Sequence, residues 1–304
     1  MKNQSYWKTH YVVESDAEEI DRHIKRADFT SGEQSFGLVY FERDKNGPSI
    51  LISPGEAGHS YVFAELGYLI HQKGYNVFIM PKHGSSATIS ELIQRHRDAL
   101  AYIKNNFNDR IGVFAEGFGG YAVFYLALDH GAMKSAVYQN APAILTEPEW
   151  LKVISGNEGA MRRRKLIIPF GKVIVKSFPN IKLPIWMYLD FSEMIDTNVE
   201  TRRAEETLVK NYLADPDFDT WKTLAAAISL ITTPPPNPLK DLKIPTMFLV
   251  PTRGFTGPEY FRNLYQRLPQ IKKKIFEVEG SVFWMVSHPK EAAEVICGWF
   301  KETL

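Results

Sequence analysis

Residues 111–128, IGVFAEGFGGYAVFYLAL, decide the fold. The run IGVFA reads as a buried strand, the chain turns sharply over Glu116, Gly117 and Phe118, and an apolar helix comes next. Strand, tight glycine turn and helix form a unit on which two different chemistries are built, so the neighbouring sequence has to separate them.

Working outward, SYVFAELGYLIHQKG reads as an amphipathic helix closed by Gly74, YNVFIM as a buried strand, and TISELIQRHRDALAYIKNNF as a helix with a Thr88/Glu91 capping box. After the quoted stretch comes the strand SAVYQN. Repeated strand and helix units of this length predict a parallel sheet covered on both faces. Upstream, DAEEIDRHIKRADF reads as one exposed helix after Ser15, with Glu18 completing a capping box. SFGLVYFERD and SILIS, joined at Asn46-Gly47-Pro48, read as two antiparallel strands. Between about 144 and 238 the rhythm breaks into short helical pieces and the exit TTPPPNPL, then TMFLV, a helix near 258–268, KIFEVE and a last helix resume it. The expected organisation is an extension with a short helix at 1–34, an α/β core at 35–143 and 239–304, and a helical cap inserted at 144–238.

Across the 304 residues, 36 Lys and Arg stand against 35 Asp and Glu, so the net charge of +1 gives no argument for nucleic acid or an anionic membrane. The single cysteine, Cys297, excludes a disulfide framework and fits a buried thiol in a reducing compartment. MKNQSYWKTH carries no apolar signal region, and no apolar run approaches the ~18 residues of a membrane span. The expected location is the cytoplasm. Metal-ligand spacing and a Walker loop are absent from the sequence, and no cofactor is expected.

Gly117 to Ala122 satisfies GxGxxA, the dinucleotide fingerprint, in which glycines let backbone approach a pyrophosphate at a helix N-terminus. That fingerprint also needs a carboxylate at the end of the next strand, and SAVYQN ends in Gln139 and Asn140. The turn comes after several strands instead of opening a nucleotide-binding half, which also counts against a phosphate loop.

The order of elements fits something else. Two leading strands, then ILISPGEAGHSYVFAEL, YNVFIMPKHGSS, RIGVFAEGFGGYAVFYLAL and a cap before the seventh strand together resemble the α/β-hydrolase superfamily from about residue 35 to the end. KLPIWMYLDF, YLADPDFDTW and PPPNPLKDLKIPTMFLVPT look like its lysophospholipase and monoglyceride-lipase branch. The resemblance implies that the quoted turn is a nucleophile elbow, small-x-nucleophile-x-small, with Gly117 at the serine position. It also implies Gly254 at the acid position, beside Arg253, and Val282 at the histidine position. A serine hydrolase needs nucleophile, base and orienting acid together, and none of the three positions supplies one. The oxyanion donors implied are the backbone N–H groups of Phe118 and, after Pro54-Gly55, of Glu56.

Side chains that offer other chemistry are Glu116, beside the turn, His59 near the first covering helix and His288 before Pro289. Each also has a plain structural reading as a hydrogen-bonding or capping residue. Ser60, His83 and Ser287 read as structural. Tyr138 and Trp284, with Phe118, Tyr121 and Phe283, are candidate pocket aromatics. The run KLIIPFGKVIVKSFPNIKLPIWMYL mixes apolar residues with lysines and reads first as a lid, with membrane contact as the lesser alternative; Arg162, Arg163 and Arg164 read as a solvated face. The expectation is a pseudoenzyme of hydrolase lineage that binds a small apolar acyl or carbonyl ligand. The alternatives are a hydrolase or lyase of the same lineage with a rewired site, or an engineered inactive variant of a serine hydrolase.

Overall fold

The computed structural model describes residues 5–56, 58–150, 169, 171, 173–184, 199–253 and 256–304, with backbone alone at 199–205. The strands are β1 (Lys25–Ser31), β2 (Gln34–Phe41), β3 (Ser49–Ser53), β4 (Asn76–Ile79), β5 (Ile111–Glu116), β6 (Ser135–Gln139), β7 (Lys182–Pro184), β8 (Trp221–Thr223), β9 (Thr246–Pro251) and β10 (Lys273–Val278). Eight of them form one sheet in the order β1-β2-β4-β3-β5-β6-β9-β10, in which β4 through β10 run parallel and β2 is antiparallel to both its neighbours. Residues 111–115 are wholly buried at its centre, which explains why IGVFA shows no alternation: a parallel strand covered on both faces has no solvent side.

One face carries α1 (Tyr6–His10), α2 (Ala17–His23), α3 (Ala64–Gln72), the short α9 (Trp284–Ser287) and α10 (Pro289–Thr303); the other carries α4 (Ile89–Asn106), α5 (Gly117–Leu128) and α8 (Pro258–Arg267). The Thr88/Glu91 capping box is present at the start of α4. Every residue of α5 is buried, since it lies between the sheet and its neighbours, and its sequence is accordingly apolar on all sides. The chain leaves the sheet after β6 and returns at β9. Between them the described elements are the antiparallel pair β7–β8 and helices α6 (Val199–Ala214) and α7 (Leu224–Thr232).

Three local expectations are corrected. The helix after Ser15 stops at His23, and its cap is Asp16, whose carboxylate accepts from the Glu18 N–H. The chain then enters β1, because Gly32 at φ +58° supplies the first position of a two-residue hairpin turn that pairs Ser31 with Gln34. β2 and β3 do not pair with each other; β4 lies between them.

Beneath the sheet's C-terminal edge, Ser53 and His96 form a fully buried hydrogen bond of 2.6 Å between Oγ and Nε2, while Nδ1 of His96 lies 2.6 Å from the Leu92 carbonyl. The carbonyl requires a proton on Nδ1, so Nε2 accepts from the Ser53 hydroxyl. Burial holds the imidazole down at about 4. Because the folded value lies below the ordinary one, the neutral ring contributes stability that is full above about pH 6.5 and lost as pH falls toward 4. Urea unfolding at pH 7 and pH 5 should show the wild-type protein weaker at the lower pH, and His96→Gln, which cannot titrate, should lose less between the two.

Candidate functional site

From β3 the chain goes to β4 on one side and later to β5 on the other, so the C-terminal ends of β3 and β5 bound the point where the winding reverses. In open α/β sheets ligands bind in the crevice outside that point.

Glycines bring the two strand ends together. Gly117 opens α5 at φ +45°, and a Cβ placed there would meet only Gly55 Cα, at 3.8 Å. The left-handed backbone is costly for any side chain, and the space above it is open. A Cβ on Gly55 would collide with the Glu116 carboxyl, and one on Gly119 with Ser53 Oγ and the Pro54 carbonyl. The loop after β3 and the β5–α5 turn therefore touch backbone to backbone.

Of residues 111–128, Glu116 alone is not fully buried. Its carboxyl is nevertheless enclosed: desolvation pushes it up to about 8, the Gly55 N–H pulls the other way, and the nearby Glu56 charge adds to the rise. At neutral pH Glu116 is a carboxylic acid with a proton to donate. Glu56 is held differently, by Lys222 from the cap strand β8, with Nζ 3.1 Å from Oε1. Lys222 is almost wholly buried, and its ammonium lies 4.0 Å from the centroid of the Phe118 ring. Burial raises the phenols of Tyr121 on α5 and Tyr212 on α6, and the Glu116 charge, once that group ionises, adds to the rise.

The expected histidines do not join this group. His59 lies 2.8 Å from Asp215 through Nε2, and its Nδ1 accepts from the Tyr61 N–H. Asp215 also accepts from the Tyr11 hydroxyl, at 2.7 Å, and the Asp217 N–H, at 2.8 Å. With both ring nitrogens engaged, His59 ties the core to the cap and to the N-terminal segment. His83 is bonded through Nε2 to the Pro54 carbonyl at 2.7 Å, and desolvation lowers its pKa well below the ordinary value. His288 stands at the junction of α9 and α10, 3.0 Å from Ser287 Oγ. Ser60 bonds the Met80 carbonyl.

Val282 is buried in one apolar cluster with Tyr212, Phe218, Phe283 and Trp284. Its carbonyl accepts from Gln139 Nε2 at 3.0 Å. Trp284 is buried and donates to Glu291, and Tyr138 is a core residue with its ring edge-on to Phe124 and Phe248. Gly254 and Arg162 to Arg164 lie outside the described residues. Burial pushes the Cys297 thiol up to about 12, which fits a structural role. Among the described residues no group of three or more His, Cys, Asp or Glu is gathered to hold a metal, and no helix is long and apolar enough to cross a membrane.

More than nine-tenths of the chain superposes on solved structures. The monoacylglycerol lipase of Paleococcus ferrophilus matches with a TM-score of 0.63 at 19% identity, over 92% of this chain and 98% of that one. The α/β hydrolase GrgF from a Penicillium species matches with a TM-score of 0.69 at 14% identity, again over 92% and 98%. The chain has the α/β-hydrolase fold. A Bacillus anthracis bromoperoxidase shares the α/β-hydrolase fold with this chain at a TM-score of 0.57 and 12% identity, over 91% of this chain and all of that one. Lipase and peroxidase on one fold illustrate why the chemistry has to be read from the site. No protein-family model and no curated protein sequence matches the chain.

Sequence reasoning did not find Lys222, Asp215 or Tyr212. Nothing in DTWKTL distinguishes a buried lysine from the many exposed ones, because the burial comes from the cap closing over Phe118. Removing one partner from a desolvated ion pair leaves the other charge stranded. Lys222→Met should lower unfolding stability by roughly 3 kcal/mol, and the double variant Lys222→Met/Glu56→Gln should recover part of that loss in the same urea titration.

Proposed function

We propose that this α/β-hydrolase-fold protein binds a small carbonyl-containing ligand with an apolar chain and does not hydrolyse it. The observation that carries the reading is Gly117: the apex of the strand-to-helix turn has the left-handed backbone and the open space of a nucleophile position, and no side chain. Around it no base is poised in the expected way. The residue placed by resemblance at the histidine position is the buried Val282, His59 is committed through both ring nitrogens, and His83 gives its Nε2 to the Pro54 carbonyl while its buried Nδ1 has no hydrogen-bond partner among the described residues. The backbone N–H groups of Phe118 and Glu56, on the two loops that meet at Gly117, are the donors that hold the ligand carbonyl. Aromatic and aliphatic groups, among them Tyr121, Tyr212 and Phe283, give the crevice its apolar character. The likeness to a monoacylglycerol lipase fits an acyl-type ligand.

A rewired enzyme is the second reading, and one observation favours it: Glu116, pushed up to about 8 by burial, lies beside a Glu56 that is paired with Lys222, an arrangement suited to acid–base work.

The two readings separate in an ester assay. With p-nitrophenyl butyrate and octanoate between pH 6 and 9, the binder shows no release above the protein-free rate. Turnover that disappears in Glu116→Gln overturns the first reading and supports the second. Gly117→Ser should fold with a loss of roughly 1–2 kcal/mol, the cost of a left-handed non-glycine residue, and should remain unlabelled by a fluorophosphonate probe because its hydroxyl lacks a base.

A further inference from the structure

We propose that the ligand is an uncharged carboxamide on an apolar chain, its carbonyl oxygen accepting from the Glu116 carboxyl and its N–H donating to the side-chain oxygen of Gln139. This rests on the reading of the site as a carbonyl-binding crevice and narrows what that crevice takes.

The juxtaposition comes from the sheet. Glu116 and Gln139 are partners in the β5–β6 register, at the C-terminal ends of both strands. Residues paired this way point to the same face, with their backbones about 5 Å apart. That places the two side chains next to each other at the strand ends, the Glu116 carboxyl lying against Gly55 and the Gln139 amide against Val282 and Met285. Glu116 is the one residue of 111–128 that is not fully buried. Gln139 is buried, its Nε2 donates to the Val282 carbonyl and contacts Met285 Sδ at 2.9 Å, and its Oε1 has no hydrogen-bond partner among the described residues. Next to it, the Oδ1 of buried Asn140 is also unpartnered. Buried acceptors without donors are costly, and a ligand N–H would satisfy one of them.

Charge argues against the obvious competitor, a fatty-acid anion. The buried cation at the crevice, Lys222, is already committed to Glu56 at 3.1 Å and to the face of Phe118. A carboxylate would bring a further negative charge beside Glu56 with no cation to receive it, and would leave the Gln139 oxygen facing another acceptor. A carboxamide adds no charge and matches donor to acceptor at both ends.

The groups facing Glu116 are Glu56 from the loop after β3, Tyr121 from α5 and Tyr212 from α6, with Lys222 behind Glu56. Both tyrosines stay protonated over the working range because burial raises them. Glu116 therefore sets the pH response: it loses its donor proton as pH rises through about 8, and amide affinity falls with it.

Calorimetric titration of the full chain with octanamide, octanoate and 1-octanol at pH 6.5 and 9.5 tests this, with Glu116→Gln as the variant that keeps a neutral donor at both values. Octanamide should bind at least about tenfold tighter than octanoate at pH 6.5, weaken about tenfold or more by pH 9.5 in the wild-type protein, and hold its affinity in Glu116→Gln. Octanoate binding as tightly as octanamide, or an equal pH dependence in both proteins, overturns the proposal. Equal binding of 1-octanol and octanamide overturns it too, while leaving an apolar crevice in place. No binding by any of the three overturns the carbonyl-binding reading as well.

Discussion

Two loops, the one after β3 and the β5–α5 turn, meet at glycines at the centre of this molecule. Gly55 lies against the Glu116 carboxyl, Gly119 against the Ser53 hydroxyl and Pro54 carbonyl, and Gly117 turns between them at φ +45°. Each of these contacts needs hydrogen where other residues carry a Cβ. Together they let β3 and β5 end side by side, start α5 in contact with the sheet and aim the crevice at the point where the winding reverses. The cap completes the arrangement from above, since Lys222 reaches down to Glu56 and Asp215 to His59.

The site's character comes from how its charges are sorted. Glu56 is paired with a buried lysine, and Glu116, enclosed beside it, is pushed up to about 8 by desolvation. A low-dielectric pocket enforces this asymmetry, because two unpaired carboxylates so close would each raise the other's cost. The outcome is a crevice with internal charge balance, a donor and unsatisfied acceptors. Under the proposed reading it serves recognition; hydrolysis would require an imidazole within reach of a nucleophile.

Much of the fold was legible in the sequence because parallel strands buried on both faces leave unbroken apolar runs, as in SILIS, YNVFIM and IGVFA, and because capped helices such as Thr88–Asn106 carry local signals. β1 escaped notice since KRADFTS is polar and sits at the sheet edge, where Phe29 is its one buried side chain. At the site, Gly117 and Glu116 were readable because the strand-to-helix turn depends on chain neighbours, whereas the contacts of Gly55 with Glu116 and Gly119 with Ser53 join distant segments. Lys222, Asp215 and the orphaned Gln139 oxygen were not, because each acquires its role from a segment far away in the chain. His59 shows the same limit: its position near a covering helix was clear, but the aspartate that immobilises it comes from the cap.

The central claim is that Gly117 marks a retained but empty nucleophile position that now holds a carbonyl. A crystal structure of the protein soaked with octanamide tests it most directly. The account predicts density above Gly117, with a carbonyl oxygen roughly 3 Å from the Phe118 and Glu56 N–H groups. A crevice filled by the protein's own side chains over Gly117, with the amide bound elsewhere or nowhere, would contradict it.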